Sequence, residues 1–266
     1  MSTRLAVAGF GNMGGAIVRG MLAAGRLEPD EIVAFDPDEH RCAEARQLGL
    51  RTTDSVAALV DAPTLLIAVK PQRYDGLASQ LGPLPRTTLV ISVMAGITMK
   101  TMTGTLGPHA RIARVMPNTP AMVGAAMSTV AFDASCTPDD REAVVAMFET
   151  IGIVHRIDES LMDAATAVCG SGPAYVFHLA EHMMRGARDA GFDDASADLL
   201  VRQTILGAAE LLRRSSDDPA ALRRAVTSPA GTTAAALAVL DAAAAGDAMA
   251  RAIIAARDRG RELSAG

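Results

Sequence analysis

The sequence predicts an α/β fold with a doubly wound, largely parallel sheet, followed by an all-α unit. Three features predict it. Short apolar runs alternate with helical stretches as far as residue 158. Most of these runs are continuously apolar rather than alternating, as strands covered on both faces should be. After Asp158 the strand signals stop and alanine-rich helical periodicity takes over.

In chain order, strands are expected at 4–8, 31–35, 64–69, 87–93, 111–115 and 152–157. Helices are expected between them at 14–24, 38–48, 54–61, 72–81, 98–106 and 138–150. The last opens with Thr137-Pro138-Asp139-Asp140, a capping residue followed by proline at the first helical position. Residues 127–132 read as an extra strand, antiparallel and at a sheet edge. Five helical stretches follow, at 160–190, 194–215, 219–226, 233–244 and 247–263. Gly170-Ser171-Gly172-Pro173 should kink or break the first of them. The expected division is 1–158 and 159–266. Alanine-rich helices bury less apolar area than leucine-rich ones, so the second domain is expected to pack against another copy of itself.

Of the 266 residues, 50% are hydrophobic, enough for one large domain or two ordinary ones with real cores. Net charge is -5 and no basic stripe is visible, which argues against a nucleic-acid partner. Arg213-Arg214 and Arg223-Arg224 read as solvated helix faces. Cys42, Cys136 and Cys169 lie far apart, in neither a disulfide framework nor zinc spacing, which suits a reducing compartment. The N-terminal residues enter a strand pattern without a signal-peptide pattern. No apolar run is long enough for a membrane span. The expected setting is soluble and cytoplasmic, with no membrane partner.

Gly9-Phe10-Gly11-Asn12-Met13-Gly14 carries the strongest chemical signal. This G-x-G-x-x-G follows a strand, opens a helix, and is followed by a second strand ending at Asp36. Gly9 makes the turn, Gly11 admits a pyrophosphate, and Gly14 lets helix and strand pack closely. The domain is therefore expected to be Rossmann-like and to bind a dinucleotide at the helix N-terminus. An acid at Asp36 ordinarily accepts the ribose 2′-OH and so favours NADH, but Arg41 nearby could meet a 2′-phosphate. The residues leave NADH and NADPH both open. Val69, Lys70 and Pro71 follow the strand at 64–69, where ligands bind parallel sheets. Asn118, between two prolines in RVMPNTP, either reaches the nicotinamide or substrate or forms an Asx-type turn.

Val226–Asp241 contains a second anion signal. Pro229 and Gly231 shape a turn, Thr232 or Thr233 can cap a helix, and the first helical amides all point one way without partners. His178-Leu179-Ala180-Glu181-His182 matches H-x-x-E-H. With no third ligand standing out, a metal site is not expected, and no other metal motif is present. With no G-x-S-x-G elbow and no catalytic-cysteine signature, the chemistry is assigned to a cofactor.

AVAGFGNMGGAI, AVKPQ, RVMPNTPAMVG, CGSGPAYVF, VTSPAGTT and AIIAARDRGREL together resemble the pyrroline-5-carboxylate reductase family along essentially the whole chain. The resemblance implies reduction of 1-pyrroline-5-carboxylate to L-proline, usually with NADPH and often with NADH as well. It implies a helical C-terminal domain that interlocks two subunits, with dimers frequently assembling into rings. It supplies an anion for the second signal, the substrate carboxylate. Ser228 would contribute a hydroxyl, Gly231, Thr232 and Thr233 their amides, and the Thr233 hydroxyl would lie near the ring nitrogen as the catalytic group. Three departures stand out. Ala230 replaces a common glycine and would stiffen the loop or need a negative φ. Cys169 stands for a common serine, and Gly124-Ala125-Ala126 lacks a common acid. Another imine or β-hydroxyacid reductase would commonly carry a lysine acid in the helical domain, and none occurs between Asp158 and Gly266. A non-catalytic dinucleotide sensor would have no use for SPAGTT.

Overall fold

The computed structural model describes residues 3–265 and divides into two compact units. Of the described residues, the first comprises 3–171 and 255–265, the second 172–254.

The first unit is built on an eight-stranded sheet of order β3-β2-β1-β4-β5-β6-β7-β8. Its strands are β1 (Leu5–Ala8), β2 (Ile32–Phe35), β3 (Arg51–Thr52), β4 (Thr64–Ile67), β5 (Leu89–Ser92), β6 (Arg111–Met116), β7 (Ala126–Phe132) and β8 (Gly152–Arg156). The helices are α1 (Asn12–Ala23), α2 (Glu39–Gln47), α3 (Tyr74–Leu81), α4 (Met99–Leu106), α5 (Pro138–Glu149) and the short α6 (Met162–Ala165). Side chains alternate across β1: Leu5 and Val7 join one core with Ile17, Val144 and Phe148, while Ala6 and Ala8 join the other with Tyr74 and Met102. Both faces are thus covered, which is why the strands read as unbroken apolar runs.

The extra strand at 127–132 exists and is antiparallel to β6, but it is not at the edge. β7 lies between β6 and β8, and Ser128, Thr129, Val130 and Ala131 are buried. The link from β6 to β7 is too short for a crossover, which forces the antiparallel pairing. The α5 crossover then returns β8 parallel to β7, as the outer strand. Ile153, His155 and Arg156 on β8 are exposed. Two further differences are local. Residues 56–61 form a 3-10 turn rather than an α-helix, and the two-residue β3 carried no strand signal.

The strands end near residue 157, yet the packing of the first unit continues to Ser171. Met162 is fully buried against the sheet side of this unit, and the chain then makes a π turn at Thr166–Gly170. That turn is the break signalled by Gly170–Pro173, and a new helix starts at Gly172. The helices of the second unit are α7 (Gly172–Asp189), α8 (Asp194–Arg214), α9 (Pro219–Ala225), α10 (Thr232–Ala242) and the N-terminal part of α11 (Ala245–Ala265), whose residues from 255 on belong to the first unit. Arg213 and Arg214 pair with Glu210 on α8 and pull its carboxyl down to about 2. Among the described residues of this unit only Ala197 and Val201 are buried apolar side chains, while Phe177, Leu199, Leu206 and Val239 are each more than 60% exposed. No helix among the described residues is long and apolar enough to cross a membrane.

Candidate functional site

Gly9 ends β1 with φ +100°, and a Cβ there would lie 2.7 Å from the Ala68 carbonyl carbon. Only glycine satisfies both the angle and the approach. A Cβ on Gly14 would lie 2.2 Å from the Gly9 carbonyl oxygen, so the helix sits directly against the turn. Gly11 has no atom within 4 Å of the corresponding position. It is the N-cap of α1, and no side chain bonds to the helix start. The first amides of α1 therefore face open space over a bare backbone, as a pyrophosphate requires. These residues fit the phosphate portion of a dinucleotide.

Phe10 is buried in the core and Met13 packs partly against it, so the variable positions of the motif fix the loop from below. Asp36 fixes it from the side. Its Oδ2 accepts the Phe10 N–H at 2.8 Å and its Oδ1 accepts the Asp38 N–H at 3.0 Å. The acid expected to reach a ribose is thus also the clamp between the glycine loop and the β2–α2 turn. Its charge is shared with two amides, which weakens its repulsion of a neighbouring phosphate. A cleft of about 490 Å³ opens here, bordered by Gly11, Asn12, Asp36, Arg41, Val69 and Lys70. Arg41 reaches Asn12 Oδ1 at 3.4 Å while pairing with Glu44 at 3.1 Å. Pro71 opens a 3-10 turn behind Lys70, which holds the β4 loop in place.

Asn118 is 9% exposed, and its side chain bonds outside its own turn. Its Nδ2 donates to the Cys169 carbonyl at 3.0 Å and its Oδ1 accepts the Met127 N–H at 3.0 Å. It ties the loop after β6 to both β7 and the π turn. Cys169 donates to the Ala165 carbonyl at 3.0 Å, and burial raises its pKa, so it stands as a thiol rather than a nucleophilic thiolate.

In the second unit, the Gly231 N–H donates to the Ser228 carbonyl at 3.1 Å, closing a four-residue turn. Pro229 occupies its second position and Ala230, at φ +58°, its third. The left-handed angle normally reserved for glycine is therefore carried by an alanine, and the negative φ entertained for it is not what occurs. A Cβ on Gly231 would lie 2.3 Å from Ser228 Oγ, so the serine hydroxyl lies directly over the glycine. Gly231 itself is the N-cap of α10, with no side chain bonded to the helix start. Thr232 and Thr233 do not cap the helix; they are its first two residues. The Gly231 amide is engaged in the turn, and the amides of Thr232 and Thr233 stand at the open end of α10 beside Ser228. His178, Glu181 and His182 are exposed on α7, with ligand atoms within 4.8 Å of one another.

Sequence reasoning missed Arg114. It is 2% exposed on β6 and faces Glu159 at 3.3 Å and Asp163 at 3.8 Å. The available signal was a lone arginine inside the apolar run Ile112–Met116.

Fold and site define a dinucleotide-binding protein whose helical second unit presents a separate turn with open helix amides. Residues 159–263 match the family profile described as pyrroline-5-carboxylate reductase dimerisation, and residues 4–96 the one described as NADP oxidoreductase, coenzyme F420-dependent. The pyrroline-5-carboxylate reductase of Methanosarcina acetivorans is 38% identical over 258 residues, 96% of each chain. Among solved structures, the Plasmodium falciparum pyrroline carboxylate reductase with NADP bound superimposes with a TM-score of 0.90 at 27% identity, over 98% of each chain. The pyrroline-5-carboxylate reductase of Coxiella burnetii gives 0.89 at 30% identity, over 99% of each chain. This chain belongs to the pyrroline-5-carboxylate reductase family.

Proposed function

We propose that this protein reduces the C=N bond of 1-pyrroline-5-carboxylate to give L-proline, with NADPH as the reductant and NADH as an admissible substitute. The observation that carries this reading is the Ser228–Thr233 turn: a hydroxyl and two unpaired helix amides gathered around a glycine over which that hydroxyl lies.

The first unit supplies the cofactor groups. Gly9–Gly14 and the start of α1 take the pyrophosphate, Asp36 and Arg41 flank the adenosine ribose, and Val69, Lys70 and Pro71 border the cleft beside it. Arg41 favours a 2′-phosphate, and Asp36, occupied by two amides, opposes it less than a free carboxylate would. When bound, the reduced nicotinamide supplies hydride to the imine carbon. Asn118 holds the loop after β6 in place.

The second unit supplies the substrate groups. The Thr232 and Thr233 amides and the Ser228 hydroxyl hold the carboxylate, and the helix dipole adds to the attraction. The Thr233 hydroxyl then lies near the ring nitrogen, where it can hydrogen-bond the protonated imine or the amine formed from it. A protonated imine is the better hydride acceptor, because its charge is neutralised as the hydride arrives. No histidine or lysine lies in the substrate motifs to act as the acid, so the proton comes from solvent before binding.

The exposed apolar side chains of the helical unit support a homodimer, since a surface of this kind is ordinarily covered by a partner. Assembly of dimers into a ring and a cytoplasmic location belong to the same reading. The test is oxidation of NADPH on addition of 1-pyrroline-5-carboxylate, with proline measured as product, beside a parallel reaction with 1-pyrroline, which lacks the carboxylate. The expected result is stoichiometric proline formation with a much smaller kcat/KM for 1-pyrroline. No oxidation would leave a dinucleotide sensor, and equal kcat/KM values would indicate a general imine reductase.

A further inference from the structure

The closing motif AIIAARDRGREL has no part in the proposed chemistry, although it lies within the residues that match the dimerisation profile. Its last residues pack within the first unit, at two places.

The first is the loop 93–98, between β5 and α4. A Cβ on Gly96, which has φ +75°, would lie 3.3 Å from both the Cβ and the carbonyl oxygen of Leu263. The second is α6. A Cβ on Gly260 would lie 3.2 Å from the Asp163 Cβ, and Ser264 Oγ donates to Asp163 Oδ1 at 3.0 Å. Gly260 thus lets α11 lie against α6, and Leu263 and Ser264 hold it there.

Arg114 joins these contacts. One guanidinium nitrogen bonds Glu159 Oε1 at 3.3 Å and another faces Asp163 Oδ1 at 3.8 Å. The same Glu159 oxygen accepts the Met99 N–H at 2.7 Å, at the first residue of α4. The loop 93–98 is therefore held at Gly96 by α11 and at its far end by Glu159, and both holds lead to Arg114. At its near end, the Val93 N–H donates to the Ile67 carbonyl at 3.1 Å, beside the β4 loop that carries Val69 and Lys70.

This loop lies at the carboxyl end of β5, where open α/β sheets bind ligands. A dinucleotide with its adenosine ribose at β2 and its pyrophosphate at α1 extends its other half across β4 toward β5. We propose that residues 260–264, with Asp163, Glu159 and Arg114, form a latch that holds the 93–98 loop in the shape the nicotinamide half of the cofactor needs. Arg114 is its central positioning residue. The inference rests on the cofactor assignment above.

The test uses full-length protein carrying Leu263→Ala with Ser264→Ala, and separately Glu159→Gln. Three properties are read: amide hydrogen exchange across 93–99, the Kd for NADPH by titration, and the separate KM values for NADPH and substrate. Both variants should exchange at least tenfold faster at 93–99, with exchange in 12–18 unchanged. Kd and KM for NADPH should rise about three- to tenfold while the substrate KM holds, and Leu263→Ala with Ser264→Thr, which keeps the hydroxyl, should show a smaller loss than Leu263→Ala with Ser264→Ala. Unchanged exchange at 93–99 would overturn the latch and leave the reductase reading intact. Faster exchange with an unaltered NADPH Kd, or an equal rise in both KM values, would overturn the positioning role. Failure of the unsubstituted protein to bind NADPH would instead overturn the cofactor assignment.

Discussion

Gly231→Ala isolates the substrate turn from everything else. Backbone strain is not at issue, since Gly231 has φ -79°, an angle any residue adopts. The conflict is local: the new methyl would stand 2.3 Å from Ser228 Oγ and 3.1 Å from the Ser228 carbonyl oxygen. The serine side chain is exposed and can rotate, so the fold survives. Exchanging glycine for alanine at an N-cap costs up to about 1 kcal/mol, or about 2–4 °C in Tm for a chain of this size. The serine hydroxyl cannot both rotate away and bond the carboxylate. A hydrogen bond to a charged group contributes about 1.5–3 kcal/mol, which at about 1.4 kcal/mol per tenfold is a rise of about 10- to 150-fold in substrate KM. The carboxylate is held in ground state and transition state alike, so kcat should change little. Steady-state rates with substrate varied at saturating NADPH, then the reverse, measure this directly. A substrate KM within twofold of the unsubstituted value, or an equal rise in the NADPH KM, would refute the assignment of this turn to the carboxylate.

Thr233→Ala should lower kcat by about tenfold or more, as loss of one hydrogen bond to a charged group implies, while the NADPH Kd measured by titration stays constant. Ala244 follows α10 with φ +51°, a position where glycine ordinarily ends a helix, so Ala244→Gly should stabilise the protein by about 1 kcal/mol and raise Tm by about 2 °C. Cys136 is raised to about 11, first by burial and then by Asp140 and Asp133. Alkylation of the native protein followed by mass spectrometry should leave it unmodified at neutral pH, and its reaction should appear only as the pH climbs toward that value. The sign for stability follows: a thiol whose folded pKa lies above its unfolded value contributes stability that is present below about pH 9 and lost between about pH 9 and 11, so alkaline unfolding should be shallower in Cys136→Ala.

The parts of the site read from sequence are those where one residue type has one physical use. Gly9 and Gly14 could be assigned because a positive φ and a 2.2–2.7 Å approach admit nothing larger. The edge placement expected for β7 failed because a local pattern shows that a strand exists but not what pairs with its other side. The short β6–β7 link carried the antiparallel direction, and the position of β8 came only with the tertiary pairing. The turn around Asn118 offers a ligand role or an Asx-type turn, yet its partners, Cys169 and Met127, lie 51 and 9 residues away and no local rule reaches them. Arg114 was hidden for the same reason: its acids come from a segment 45 or more residues later. Ala230 shows the opposite limit. The residue type argued for a negative φ, and the turn imposed +58°, a cost of about 1–2 kcal/mol that the rest of the turn must offset.

The helix starts connect stability with binding. Asp38, Thr98, Thr137, Asp193 and Asp218 each accept an amide from the first turn of the helix they open. Gly11 and Gly231 do not, and these are the two starts assigned to the pyrophosphate and the carboxylate. A side-chain cap contributes about 1 kcal/mol, but it occupies the same amides that an anion would use. A capped helix start and an anion site are therefore alternatives at one position, and glycine leaves the amides available. The stability forgone at these two places returns when ligand is present, by about 2.7 kcal/mol at a hundredfold excess over Kd. Ligand-dependent stabilisation in this protein should therefore be largest at the start of α1 with NADPH and at the start of α10 with substrate, two helix starts whose first amides no side chain bonds.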